Sequence, residues 1–508
     1  VSERPWTTGT DGTSSPDGVT PAPDGARAAS PGGVAPRVAP PGGAAAPTAP
    51  ADGVAPAAAP PDLVRLLLVA SVALITLVAF ENLAVSTAMP AVAEDLGGLR
   101  LYAVASGVPL AAGLVATAVS GAWSDARGPR GSLLAGIVLF STGLVIAGLA
   151  PSMEILVVGR AVQGFGGGLL VVPLYVLVGA MVPAARQPAF FAAFSAAWVV
   201  PALVGPGVTG LVVDHASWRW IFLGVPALTL GVSALLLPLL RHIPPHGSRS
   251  DPAVRHSRLL LAATGTGAAV AVLQVAGSQT GSEMAAWVVP AAIVAAAVLV
   301  LCLPPLVPAG TVRLLRGVPS AVACRTLLNA TFMTAQTFLP LLLVREHGWP
   351  VWQAGLVLTV ASVAWATGAA IQGRVTSTAG RDRLSWLGPL LLAAGTFITA
   401  GATLEAVTPW IVVVGWALGG TGMGLAYPAL SVLVLQATPP ARHGRISSSL
   451  QVADALGAAM GLAASGALFT ALVGTGGTDA YLAGLLLASG LGLVASVAGA
   501  RAAAPVVG

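Results

Sequence analysis

LVRLLLVASVALITLVAFENLAVSTAMPA, Leu63 to Ala91, is the stretch that decides the fold. It exceeds the roughly 20 residues an α-helix needs to cross a hydrocarbon core at about 1.5 Å per residue. Lipid offers no partner to free backbone N–H and C=O groups, so a run of this kind has to be helical. The rest of the chain repeats the reading, with 56% of its 508 residues hydrophobic, 8% charged and a mean hydropathy of +0.85. Soluble globular chains carry about 25% charged residues, and a water-soluble fold is excluded.

Breaking the apolar runs at charged, Gly or Pro clusters predicts fourteen spans. They lie near 63–91, 101–123, 131–150, 154–182, 187–213, 218–240, 258–278, 285–307, 319–344, 351–373, 385–404, 408–437, 444–473 and 480–503. Arginine supplies an independent test, because the cytoplasmic side of a membrane protein holds the excess of basic residues. With the N-terminus inside, that side receives Arg127, Arg130, Arg186, Arg241, Arg249, Arg255, Arg258, Arg313, Arg316, Arg374, Arg381, Arg383, Arg442, Arg445 and Arg501. The other side receives only Arg100, Arg219 and Arg345. The expectation is an all-α polytopic protein of the cell membrane, solvated by the lipid bilayer, with both termini cytoplasmic. A count of twelve would require 258–278 and 285–307 not to cross.

Residues 1–61 are Pro, Ala, Gly, Ser and Asp with scarcely a large apolar side chain, which predicts a disordered cytoplasmic tail. They lack the basic start, apolar centre and cleavage site of a secretory signal, so the first span is expected to stay as an anchor. The remaining organisation is expected to be a six-helix bundle at 62–240, a linker with two extra spans at 241–318 and a second six-helix bundle at 319–503.

Several function classes are disfavoured directly. Lysine is absent, so no phosphate loop ending in Gly-Lys-Ser/Thr exists. The formal charge of +5 sits in short loops between spans, not in a basic stripe interleaved with aromatics, which argues against nucleic acid. Cys302 and Cys324 lie in or near apolar spans, where a thiol behaves as a small hydrophobe. His215, His242, His246, His256, His347 and His443 are all expected in loops, with no HExxH or paired-Cys spacing. No nucleophile, base and orienting group assemble, so neither an enzyme nor a cofactor or metal is expected.

Two connecting segments repeat. GAWSDARG, Gly121 to Gly128, is expected as a loop after the second span, and GRVTSTAG, Gly373 to Gly380, as one after the tenth, with Ser377 where the first copy has Asp125. Duplicated halves are how many transporters build a two-sided gate. Other motifs are ENLAVSTAMP (Glu81 to Pro90), GRAVQGFGGG (Gly159 to Gly168), PALVGPGVTG (Pro201 to Gly210) and WRWIF (Trp218 to Phe222). Taken in order over roughly 62–503, they resemble the major facilitator superfamily, specifically its fourteen-helix drug:proton antiporter branch.

The resemblance implies two six-helix bundles plus two inserted helices, and a cytoplasmic gate loop at Gly121, Asp125, Arg127, Gly128 and Arg130. It also implies an intramembrane arginine motif at Arg160, Gln163 and Gly164, and an antiporter motif at Pro201, Gly205, Pro206 and Gly210. Pro201 and Thr209 stand where the family often has glycine. Physically, glycine and proline in the fifth span permit a bend and close helix approach, which serves either a moving seal or ordinary tight packing. Orientation alone accounts for the loop arginines, whereas Asp125 is not needed for it.

Glu81, Arg160, Arg325 and Asp454 are the ionisable groups within spans. Each costs about 2.5–3.5 kcal/mol on insertion scales, which marks it as functional or as half of a structural ion pair. Counting about 1.5 Å per residue puts Glu81 and Arg160 roughly 15 and 9 Å below one face, and Asp454 and Arg325 at matching depths below the other. Two pairs are expected, and the proton-coupling role falls to these four. A carboxylate carries a proton across only if its affinity differs between two facing states, and burial and a nearby guanidinium pull that affinity in opposite directions. Asn82, Gln163, Gln336, Trp416 and Tyr427 are candidate cavity-lining residues, with interhelical hydrogen bonding as the competing role.

The function expected is a proton-coupled efflux antiporter, working as a monomer, that exports small amphipathic molecules such as drugs or antibiotics by alternating access. The alternatives are an exporter of one metabolite or self-made natural product, a transporter-like sensor and a membrane-embedded enzyme.

Overall fold

The computed structural model describes residues 60–183, 186–236, 253–279, 287–439, 443–474 and 477–503. The tail expected at 1–61 lies outside these residues apart from its last two positions, as do Arg241, Arg249 and Arg442. No strand occurs among the described residues. The helices are α1 (Pro61–Asp95), α2 (Tyr102–Arg127), α3 (Pro129–Gly148), α4 (Met153–Met181), α5a (Gln187–Ala196), α5b (Val199–His215) and α6 (Arg219–Ala234). They continue as α7 (Ala253–Gly277), α8 (Val288–Cys302), α9 (Val318–Arg345), α10 (Val351–Gly373), α11 (Thr378–Ala400), α12 (Ile411–Gln436), α13 (His443–Leu472) and α14 (Asp479–Ala502). Eleven helices are long and apolar enough to cross a membrane, and α5b, α6 and α8 are shorter apolar helices. With α5a leading into α5b, these are the fourteen expected spans.

Several boundaries differ from the sequence reading, and four of the changes have a clear local reason. The fifth span is not one helix, because Pro201 lacks the N–H that would bond the Ala197 carbonyl and its ring crowds that group. The chain accordingly turns at Ala197–Trp198. The eighth span stops at Cys302 instead of near 307, because Pro304 and Pro305 cannot continue it. The eleventh begins at Thr378, where the Ser377 hydroxyl accepts from the Gly380 N–H at 3.2 Å and caps the helix. Most of GAWSDARG is helical, since α2 runs on to Arg127 and only Gly128 turns. Of the histidines expected in loops, His256 falls within the first turns of α7, His215 ends α5b and His443 opens α13, while His242 and His246 lie outside the described residues.

The connections divide the molecule into two ends, called here the Asp95 end, where α1 finishes, and the Gly128 end, where α2 finishes. In the first six spans α4 packs on α2 and α3, and α6 packs on α3. In the last six α12 packs on α10 and α11, and α14 on α9 and α11. Close glycine contacts hold these pairs: a Cβ at Gly136 would lie 2.7 Å from the Leu170 backbone nitrogen. The two groups meet at the Asp95 end. There Tyr102 donates its hydroxyl to the Thr337 carbonyl at 2.8 Å, and its ring lies 5.9 Å from Phe338.

Candidate functional site

Helix α1 carries Glu81 into the interior of the first group, where its side chain is 0% exposed and Arg160 of α4 is 6% exposed. Arg160 donates through Nη1 to Glu81 Oε1 and to Gln163 Oε1, and through Nε to the Ala105 carbonyl of α2 at 3.3 Å. Gln163, one turn along α4 from Arg160, donates to Glu81 Oε2 at 2.7 Å. Both carboxylate oxygens therefore have donors, and a charge that insertion disfavours is compensated inside the bundle. Gln163 belongs to this network.

A second network occupies the last six spans. Arg325 of α9 donates to Asp454 of α13 through both Nε, at 3.0 Å, and Nη2. Its Nη1 donates to Ser431 of α12 at 2.7 Å. Tyr427 donates to Asp454 Oδ2 at 2.6 Å and lies under the guanidinium, 3.8 Å from carbon to ring centroid. Asn329 completes the set, donating to Asp454 Oδ1 at 3.0 Å. Asp454 is 14% exposed, so this carboxylate reaches an accessible surface and Glu81 does not. The structure brings together both pairs that the depth count had matched. Ser431 was missed because a serine within a span gives no signal of its own.

The other candidate residues fall out differently. Pro201, Gly205, Pro206 and Gly210 are buried along α5b. Gly205 faces Phe80 of α1 at 3.6 Å from its would-be Cβ, whereas Gly210 lies on the backbone of Trp352 in α10. Asp214, unremarked in the sequence, accepts from the Trp352 N–H at 3.3 Å and so caps α10 from another helix. Its signal was an acid at the end of one span facing the uncapped start of another, which needs the fold to be seen. Trp416 is fully buried and stacked on Phe332 at 4.9 Å, with Phe332 against Trp365 at 5.3 Å, so it packs rather than lines an open space here. Asn82 donates to the Val78 carbonyl of its own helix at 3.0 Å, and Gln336 is half-buried on α9.

At the Gly128 end, Gly121, Arg127 and Arg130 are accessible while Gly128 is buried. The Asp125 side chain lies outside what the structure describes. Gly128 adopts φ 81° and ψ 163°, a region open essentially to glycine, and it both ends α2 and starts α3.

Fourteen apolar spans, twelve of them in two six-helix groups that each hold a buried arginine–carboxylate pair, define a multi-pass membrane protein. The family model of the Major Facilitator Superfamily matches residues 71–324 and 321–505, and the chain belongs to that superfamily. It is thus a transporter of small molecules across a membrane. Among relatives, a protein of Mycobacterium tuberculosis named a probable multidrug-efflux transporter is 29% identical over 424 residues, 79% of this chain and 86% of that one. Multidrug resistance protein 3 of Bacillus subtilis is 28% identical over 144 residues, 28% of each chain. Among solved structures, a D-xylose-proton symporter superposes with a TM-score of 0.60 at 15% identity, over 85% of this chain and 96% of that one. A POT family transporter in complex with 5-aminolevulinic acid does so with 0.60 at 14% identity, over 86% and 95%.

Proposed function

We propose that the chain is a proton-coupled antiporter of the cell membrane that exports small amphipathic molecules, with both termini in the cytoplasm. Its two working halves are 62–240 and 319–503, with 241–318 between them. The observation that carries the reading is Glu81, a carboxylate with no exposure, held by Arg160 and Gln163. A proton on Glu81 releases Arg160, and an empty site takes the guanidinium back, so protonation and helix position are linked. Asp454, with Arg325 and Tyr427, is the second carrier or the seat of a substrate cation. The Arg127 and Arg130 region serves as the cytoplasmic gate and α5b as the moving seal. The efflux direction is supported by the Mycobacterium tuberculosis relatives named as probable multidrug-efflux transporters. A narrower reading, export of one natural product, is favoured by a relative from Aspergillus aculeatus named an acurin A biosynthesis cluster transporter, 32% identical over 177 residues.

Everted vesicles with an imposed pH gradient test the proposal on a panel of amphipathic drugs. Wild-type protein is expected to accumulate substrate, Asp454→Asn to be impaired, and Glu81→Gln to insert normally and lose gradient-driven uptake. Full gradient-driven transport by Glu81→Gln removes Glu81 from coupling, and flux indifferent to the gradient defeats antiport.

A further inference from the structure

Helix α7 belongs to neither six-helix group, yet it touches both, packing on α2 of the first and α13 of the second. Following the seam from the Asp95 end shows how. Ala103 of α2 and Gly466 of α13 are in direct contact there. Further in, the Gln274 side chain of α7 sits between Gly107 of α2 and α13, donating to the Ala459 carbonyl at 3.0 Å. Beyond that, Ala269 and Val270 of α7 share a buried cluster with Ala111 of α2 and Leu456 of α13. Towards the Gly128 end, Ala262 and Ala263 are flanked by Ala118 and Val452. Along this seam α2 and α13 touch directly towards the Asp95 end and through α7 further in.

The two sides of α7 are chemically unlike. Towards α13 it has a directional anchor, Gln274, and close apposition of Gly277 to Ala467, whose Cβ lies 2.7 Å from a would-be Cβ there. The contacts that meet α2 are more extensive but carry no directional bond: Gln274 abuts Gly107 there without bonding to it, and Gly267 lies against the Ala111 carbonyl and Val115. Among the bonds described, none joins an α7 side chain to α2. Gln274 Oε1 and Thr266 Oγ1 are buried without a partner, which is unusual for a surface fitted to a single arrangement.

From these contacts we infer that α7 is a working part of transport: it rides with the second group, clasped by Gln274, and slides along α2 as the two groups rock. It thereby keeps the α2/α13 seam closed to lipid in both facing states, and Gln274 is the positioning residue that decides which group it follows. This goes beyond the proposed function and does not depend on protons being the coupling ion.

Cysteine pairs in reconstituted full-length protein, with Cys302 and Cys324 replaced by alanine, test it. Val115→Cys with Gly267→Cys joins α7 to α2 across would-be Cβ atoms 3.7 Å apart, close to disulfide geometry. Gly277→Cys with Ala467→Cys joins α7 to α13 once the Ala467 Cβ and the would-be Cβ at Gly277, 2.7 Å apart, separate by about 1 Å to reach disulfide geometry. Oxidation of the first pair is expected to stop substrate flux and reductant to restore it, while oxidation of the second leaves flux within about twofold. Gln274→Met keeps the volume but removes the donor. It is expected to lower turnover about fivefold, the worth of one hydrogen bond, with KM unchanged. Flux that survives the α7–α2 disulfide, flux stopped by the α7–α13 disulfide, failure of either pair to oxidise, or unchanged turnover in Gln274→Met overturns the inference. Because flux is read as exchange of any transported substrate without a gradient, loss of the proton-coupled reading leaves this test intact.

Discussion

Removing Arg160 exposes what its pairing with Glu81 is worth. In Arg160→Leu the carboxylate keeps Gln163 as a donor at 2.7 Å but loses its counter-charge at a site with 0% exposure. Breaking a buried pair from one side costs about 3–5 kcal/mol, because the remaining charge cannot reach water. Glu81→Leu strands the guanidinium in the same way, leaving it Gln163 and the Ala105 carbonyl at 3.3 Å. The double variant has no stranded charge, and apolar replacement of a whole buried pair is often close to neutral. The cycle should therefore be strongly non-additive, with a coupling of about 4 kcal/mol or more against the roughly 6–10 kcal/mol expected from summed single losses. Unfolding in mixed micelles, followed by tryptophan fluorescence, measures all four proteins. If the double variant loses as much as the two singles together, within about 0.5 kcal/mol, the pair is not coupled and the argument fails.

Tyr427→Phe keeps the ring under Arg325 but removes the 2.6 Å hydrogen bond to Asp454, and should cost about 1.5–3 kcal/mol in the same unfolding measurement. Gly128→Ala forces a side chain into φ 81°, ψ 163°, and is expected to lose about 1–3 kcal/mol and show a lower yield of monodisperse protein. Gly210→Leu drives a side chain into the Trp352 backbone at an overpacking cost of about 1–3 kcal/mol, paid by opening the α5b/α10 seam. Cysteine placed at Ala354, which is 1% exposed, should then react at least about tenfold faster with a water-soluble maleimide.

Span number was legible because lipid imposes a length and a polarity on every crossing helix, and both can be counted. Some boundaries were legible from charge and proline, as at Val351–Gly373 between Pro350 and Arg374, which the structure reproduces. They failed where a single residue overrides hydropathy: Pro201 breaks the fifth span, Pro304 and Pro305 shorten the eighth, and Ser377 starts the eleventh early. The four buried charges announced themselves by cost, and depth along each helix paired them. Depth says nothing about lateral position, so Ser431, Asn329 and Asp214 could not be joined to their partners before the helices were placed.

Helix α8 has 15 residues, about 22 Å of helix, against a hydrocarbon core of about 30 Å. Its main partner is α7, so one flank of the molecule presents a short, thinly supported apolar rod to the bilayer. A span this short is met by local thinning of the bilayer or by flanking residues reaching to the interface. Bilayer thickness is therefore expected to bear on this transporter through a helix that holds neither of its buried ion pairs.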